Sequence, residues 1–136
     1  MMNYLNLPDI KQYLGTLERA YVENNTSYFN KISFNHFDIE FYAGSGALCE
    51  PHVNLDQLIF YKKLQLSLYE TIRDEVHAIS PGTDNRFSGF SWANYFSYYN
   101  SKGILKGSYM GDKIPIAEVC QLIRDVYKVS RLKIFF

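Results

Sequence analysis

Three residues at alternate positions, His36, Asp38 and Glu40, are the first in the chain whose types could do chemistry. On an extended strand, side chains at i, i+2 and i+4 point the same way. An imidazole with two carboxylates is a ligand set that suits iron, manganese or zinc. Same-face neighbours on a strand stand about 7 Å apart, however, which is wide for three ligands on one ion. The plainer reading is the solvated side of a strand whose other side is Phe37, Ile39 and Phe41. That reading is preferred, and no metal or other cofactor is expected.

A second group, Cys49, Glu50 and His52, sets a thiol near an imidazole. Such pairs can form a nucleophile and its base, but no cysteine-hydrolase signature surrounds Cys49, so an idle thiol is expected. Gly44-Ser45-Gly46 follows a strand-like run, a context that suits phosphate cradling. It lacks the Gly-Lys-Ser/Thr of a phosphate loop and the third glycine of a dinucleotide fingerprint. His36/Asp38/Glu40 and Cys49/His52 therefore remain the suspects of an alternative reading, an enzyme with a dispersed or metal-dependent site.

The strongest local bias is aromatic. Phe87, Phe90, Trp92, Tyr95, Phe96, Tyr98 and Tyr99 fall within thirteen residues. One short segment cannot easily bury so many rings. Two outcomes follow: Trp92 and Phe96 enter the core with tyrosines at its edge, or Trp92, Tyr95, Tyr98 and Tyr99 join Arg86 and Lys102 in a protein-binding patch. Tyrosine, tryptophan and arginine concentrate interface energy because they bury much area at low entropy cost. A third outcome is a single-stranded nucleic-acid site over residues 86–113, with rings stacking on bases and Arg86, Lys102, Lys106 and Lys113 neutralising phosphates.

These residues need elements to hold them. Pro8 suits a first helical turn, and Ile10, Tyr13, Leu14, Leu17 and Tyr21 recur at helical spacing, predicting a helix over 8–23 that fades at Asn24-Asn25. Residues 28–43 switch to a period of two. Ile32 and Phe34 carry the opposite parity to Phe37, Ile39 and Phe41, so a bulge or a tight turn near Asn35-His36 is expected. Asn54, with Gln57 three residues on, reads as a helix cap. Leu58, Tyr61, Leu64, Leu68, Ile72, Val76 and Ile79 then make the stripe of a long helix over 55–79. Ser80 to Asn85 is a loop. Ser91 to Tyr99 reads as a short helix, Ile104-Leu105 as a short strand, 115–129 as a final helix opened by Pro115, and Arg131 to Phe136 as a closing strand. The predicted fold is a single α+β domain, 1–136, with three main helices (8–23, 55–79, 115–129) on a small antiparallel sheet.

The totals narrow the function. The chain of 136 residues has 14 basic and 14 acidic side chains, which disfavours a dedicated nucleic-acid binder. The signs are unevenly spread: residues 1–76 hold ten acids and six bases, residues 77–136 four acids and eight bases. Two cysteines 71 positions apart suggest free thiols in a reducing compartment. No leader pattern begins the chain and no membrane span is evident, so a cytoplasmic location is expected. Plentiful Tyr, Phe, Asn, Ile and Lys hints at AT-rich coding DNA, as in accessory bacterial genes. The leading expectation is a non-catalytic module that binds another protein, most specifically a bacterial immunity or antitoxin-type inhibitor of a toxin. Its binding residues would be Arg86, Trp92, Tyr95, Tyr98, Tyr99 and Lys102, with Asp38 and Glu40 offering charge to a basic partner. The sequence does not set an oligomeric state.

Overall fold

Leu64, Leu66 and Leu68 occupy every second position of Lys63–Ile72, with Gln65, Ser67 and Tyr69 between them. That is a period of two. In the computed structural model, which describes residues 7–99 and 108–131, this run is the longest strand and not the middle of a helix. The described strands are β1 (Arg19–Glu23), β2 (Thr26–Phe29), β3 (Ile32–Phe34), β4 (Phe37–Ala43), β5 (Lys63–Ile72), β6 (Glu75–Ala78), β7 (Phe96–Tyr99) and β8 (Ser108–Pro115). Two helices, α1 (Leu7–Leu14) and α2 (Ile116–Arg131), and two 3-10 turns, Leu58–Phe60 and Ser91–Tyr95, complete the set.

All eight strands form one antiparallel sheet in the order β1-β2-β4-β5-β8-β7. Its centre is the β4–β5 pair, which sets Phe37 against Glu70, Ile39 against Leu68 and Phe41 against Leu66. The other edge of β4 is shared by β3 and β2, and the other edge of β5 by β6 and β8. One face of the sheet is apolar. Phe37, Ile39, Phe41, Leu64, Leu66, Leu68 and Ile114 are buried there beneath Val119, Leu122, Ile123 and Val126 of α2, with Ile10 and Leu14 of α1 in the same core. The α2 residues recur at i, i+3, i+4 and i+7, one stripe of a helix. Among the described residues no helix is long and apolar enough to cross a membrane.

The expected three-helix architecture is thus overturned by an eight-stranded sheet with one main helix. The segment 55–79 is the largest correction. Arg73 and Asp74 both adopt left-handed backbone (φ 52° and 66°) and turn β5 into β6, with Ile72 opposite Glu75. Two consecutive positive φ values define the two-residue turn whose twist matches a hairpin. Asn54 caps no helix; its side-chain oxygen accepts a hydrogen bond from Ser27 Oγ at 3.1 Å. The helix expected at 8–23 stops at Leu14. The N–H groups of Gly15 and Thr16 bond back to carbonyls of Gln12 and Tyr13 and close its last turn. The chain then enters β1, and Asn24-Asn25 (φ 52° and 61°) make a second two-residue hairpin turn.

Other expectations fall differently. The parity change near Asn35-His36 resolves as a hairpin, with Phe34 opposite Phe37 and Asn35 at φ 55°. Asn35 Nδ2 donates to the Ser130 carbonyl at 2.6 Å, pinning that turn to the end of α2. The final helix, expected over 115–129, runs Ile116–Arg131. Residues 91–99 form a 3-10 turn and then strand β7, not a helix. The strands expected at Ile104-Leu105 and beyond Arg131 lie outside the described residues.

Strand and helix make opposite demands of Leu66. On the helical stripe it would lie off the core; in β5 it is fully buried opposite Phe41. Leu66→Ala is expected to cost about 3 kcal/mol, within the range for emptying a buried leucine site. Urea unfolding followed by the fluorescence of the buried Trp92 measures it, and a loss under about 1 kcal/mol would contradict the packing.

Candidate functional site

The face of the sheet opposite the helices carries the residues between the core positions. Asp38, Glu40 and Tyr42 of β4 stand opposite Tyr69, Ser67 and Gln65 of β5. Tyr28 of β2 lies opposite Tyr42, and Tyr21 of β1 opposite Tyr28. Four tyrosines therefore cross four adjacent strands on one side. Tyr21 stacks on Tyr28 with ring centroids 4.5 Å apart and planes at 11°, and Tyr28 meets Tyr42 edge-on at 5.5 Å. Tyr21 is 53% exposed while Tyr42 is nearly covered. The rings thus grade from an open rim to a sealed centre.

Two hollows lie on this face and share Tyr28 and Tyr42. One, of about 220 Å³, is bordered by Tyr21, Lys31 and Glu40. The other, of about 320 Å³, is bordered by Gln65, Ser67, Tyr69 and Met110. The surroundings are acidic. Tyr42 donates its phenolic hydrogen to Glu40 Oε1 at 2.7 Å, and Gln65 Nε2 donates to Asp112 Oδ1 at 2.8 Å. Lys31 pairs with Asp38 at 3.4 Å. The Tyr28 phenol is raised above its ordinary value, first by burial and then by the negative charge of Tyr21, Glu23 and Glu40. Burial pushes the Tyr42 phenol much further up; the adjacent Ser67 hydroxyl acts the other way but is outweighed. Ser67 is 1% exposed, with its hydroxyl set against the Tyr42 phenol.

The residues nominated from sequence do not gather into one patch. Asp38 and Glu40 lie on this open face. Arg86 is engaged elsewhere: its guanidinium makes two hydrogen bonds to the Glu70 carboxylate, at 2.8 and 2.7 Å, and two to Asp84, at 3.0 and 2.8 Å. It also lies 5.3 Å from the Phe37 ring centre and 5.4 Å from that of Phe87. Bonds from Arg86 hold Asp84 below the usual carboxylate range, and the two acids, Glu70 first, raise Arg86 further. Trp92 is fully buried, and its indole N–H donates to Asp125 Oδ2 at 2.9 Å. Tyr95 and Tyr98 are exposed, the latter at 55%. Tyr98 follows Phe96 by two residues and so shares its side of β7, the side on which Phe96 meets Trp92. Tyr99 ends β7. Lys102 lies outside the described residues, as does Lys106.

The other nominated chemistry is dispersed. His36 sits in the β3–β4 turn with its ring 5.9 Å from that of Phe37, and Asp38 accepts a hydrogen bond from Ser33. Among the described residues no three His, Cys, Asp or Glu side chains are grouped as metal ligands. Cys49 is buried, its Sγ 3.3 Å from the carbonyl oxygens of Gly44 and Pro51, and burial raises its thiol. A raised pKa keeps it a thiol rather than a nucleophilic thiolate. The Gly44-Ser45-Gly46 loop is filled by the protein itself. Gly46 N–H donates to the Asn25 carbonyl at 2.7 Å, and a Cβ on Gly44 (φ 114°) would collide with Asn54 Oδ1.

Sequence reading missed Tyr21, Tyr28, Ser67 and Tyr69. Tyr42 was visible as an outward position in the alternation of residues 37–42, and the same signal runs through Gln65, Ser67 and Tyr69. No known protein family, curated protein or solved structure matches the chain.

The covered tyrosines make a pH prediction. The Tyr42 pKa lies above the ordinary value of about 10, so the folded protein keeps a proton that the unfolded chain releases. The resulting stability is present below about pH 10 and is lost as pH rises above it. Titrating the tyrosinate absorbance should show a class of phenols that ionise only as the protein unfolds, and Tyr42→Phe should move alkaline unfolding to higher pH. Smooth ionisation of all the tyrosines while the fold persists would be the contrary result.

Proposed function

We propose that the chain is a protein-binding module that docks its partner on the helix-free face of the sheet. In its most specific form it is a bacterial immunity or antitoxin-type inhibitor that covers a basic surface of a toxin. The observation that carries this reading is the placement of Tyr21, Tyr28, Tyr42 and Tyr69 beside Asp38 and Glu40 on that face. Tyrosine offers a large, stiff, amphipathic surface that loses little entropy on being covered. Carboxylates around the rings favour a basic partner, speeding encounter and setting orientation. The face is also preorganised, since the strand ladder and the ring contacts hold its side chains before any partner arrives.

Any toxin domain found encoded next to this gene is the partner to try, with complex formation followed by calorimetry. A stoichiometric complex is expected. Tyr21→Ala and Glu40→Lys should each weaken it by about tenfold or more, the size of a moderate interface hot spot. Tyr98→Ala, on the other side of the sheet, should leave it unchanged. A complex sensitive only to Tyr98→Ala would move docking to the aromatic segment. Absence of any complex at micromolar concentration would remove the reading.

A further inference from the structure

The strand beside β4 changes partway along it. Tyr28 of β2 stands opposite Tyr42, and Ile32 of β3 stands opposite Ile39. The residues between them do not match in number: Phe29, Asn30 and Lys31 face only Glu40 and Phe41. An extra residue of this kind interrupts the ladder and re-aims neighbouring side chains. The smaller hollow, of about 220 Å³, lies at that break, and Tyr21, Tyr28, Tyr42, Asn30, Lys31 and Glu40 border it. Its two charged residues are not paired with each other. Lys31 pairs with Asp38 at 3.4 Å, while Glu40 Oε1 accepts the Tyr42 hydroxyl at 2.7 Å. Among the described residues Glu40 has no ion-pair partner. Lys31 and Asp38 cancel, so the hollow keeps one negative charge. That charge is felt by the rings: after burial, Tyr21, Glu23 and Glu40 raise the Tyr28 phenol. The Tyr28 and Tyr42 rings stand nearly at right angles, 80° apart. Aromatic rings attract cations through their quadrupole.

We infer that this hollow seats the ε-ammonium of a lysine presented by the partner protein. The ammonium donates to Glu40 Oε2, the oxygen that Tyr42 leaves open, and the methylene stem lies along the tyrosines, as such stems do on apolar surface. Glu40 is held in place for this by the Tyr42 hydroxyl before any partner arrives. An ammonium fits better than a guanidinium. The strength of a guanidinium is a planar fork that takes both oxygens of a carboxylate at once, and here one oxygen is already engaged by a phenol. An ammonium is a compact charge that a single oxygen can receive. This inference rests on the proposed docking face and names the group that anchors it.

The probe is blocked lysine, N-acetyl-lysine methylamide, titrated into the intact protein and followed by amide NMR shifts. Blocked norleucine, which keeps the stem without the charge, and blocked arginine are the comparisons. Saturable shifts centred on Tyr28, Asn30 and Glu40 are expected for the lysine compound, with norleucine and arginine each weaker by about fivefold or more. Glu40→Gln should weaken lysine binding to a similar degree. Met110→Ala, at the other hollow, should leave it unchanged. The spectrum of each variant reports on its fold, so loss of binding and loss of structure are told apart. No saturable shifts, equal binding of norleucine, a preference for arginine, or indifference to Glu40→Gln would overturn the inference. Sedimentation of the free protein is expected to show a monomer; a dimer that Glu40→Gln dissolves would assign the hollow to a lysine of a second copy and overturn the partner as its source. If lysine binds but no toxin complex forms, the docking reading falls and the ammonium site stands. If a complex is lost with Tyr21→Ala yet unaffected by Glu40→Gln, the ammonium site falls and the docking reading stands.

Discussion

Because Ile39 stands opposite Leu68 and Phe41 opposite Leu66, Glu40 must stand opposite Ser67 and Tyr42 opposite Gln65. Side chains on a strand alternate strictly, so a slip of one residue would exchange Leu64, Leu66 and Leu68 of β5 for Gln65, Ser67 and Tyr69 on the core side. The apolar set Phe37, Ile39, Phe41, Leu64, Leu66 and Leu68 therefore sets two things at once. It fixes the surface that α2 covers, and it fixes which tyrosines and carboxylates meet on the other side. The open face is the complement of the core. Its geometry is as firmly determined as the packing beneath it.

In the aromatic segment the sequence left two outcomes open, core or binding patch, and the structure buries Phe87 and Trp92 while Tyr95 and Tyr98 stay exposed. Phe87 and Trp92 are fully buried, and Phe37, Phe87 and Trp92 follow one another through ring contacts of 5.9 and 5.6 Å. Two carboxylates reach into this region and each is satisfied. Glu70 receives the fork of Arg86, and Asp125 receives the Trp92 indole and the Gln121 amide. Buried charge of this kind adds little net stability, but it is costly to leave unpaired. It therefore discriminates between placements of the 80–92 connection: only the observed one supplies Arg86 to Glu70 and the Trp92 N–H to Asp125. Arginine and tryptophan, the two residues that seemed best suited to a partner, serve the fold's own register.

Much of this was legible where one period had no competitor. Residues 32–34 and 37–41 each alternate, and the parity change between them required a bulge or a tight turn near Asn35-His36, which the structure resolves as a hairpin. Pro115 followed by Ile116, Val119, Cys120, Ile123, Val126 and Tyr127 has helical spacing with no competing alternation. Residues 55–79 failed because they satisfy two periods. Leu58, Tyr61, Leu64, Leu68, Ile72 and Val76 have helical spacing, while Leu64, Leu66 and Leu68 alternate. Leucine, glutamine and glutamate have high intrinsic helix propensity. The deciding factor is remote: β4, apolar on one side, needs a strand along its edge, and only β5 offers three leucines in register. Strand preference reflects such surroundings more than local backbone bias. Ile72 and Val76, which the helical stripe would bury, are 48% and 62% exposed near the hairpin turn. With β5 misread as a helix, Ser67 and Tyr69 could not be placed beside Glu40 and Tyr42, so the candidate site was lost along with the element that carries it.

An open sheet face rich in rings must also avoid joining other sheets. The outermost strand on the tyrosine side, β1, is exposed throughout, which would ordinarily invite a further strand. It is short, carries Arg19 and Glu23, and breaks register between Arg19 and Tyr21. Short length, charge and a bulge are the devices that blunt an edge. Association by edge pairing at β1 is thus discouraged. On that face the tyrosines are not an oily patch, because their hydroxyls and the neighbouring carboxylates keep it wet at the rim.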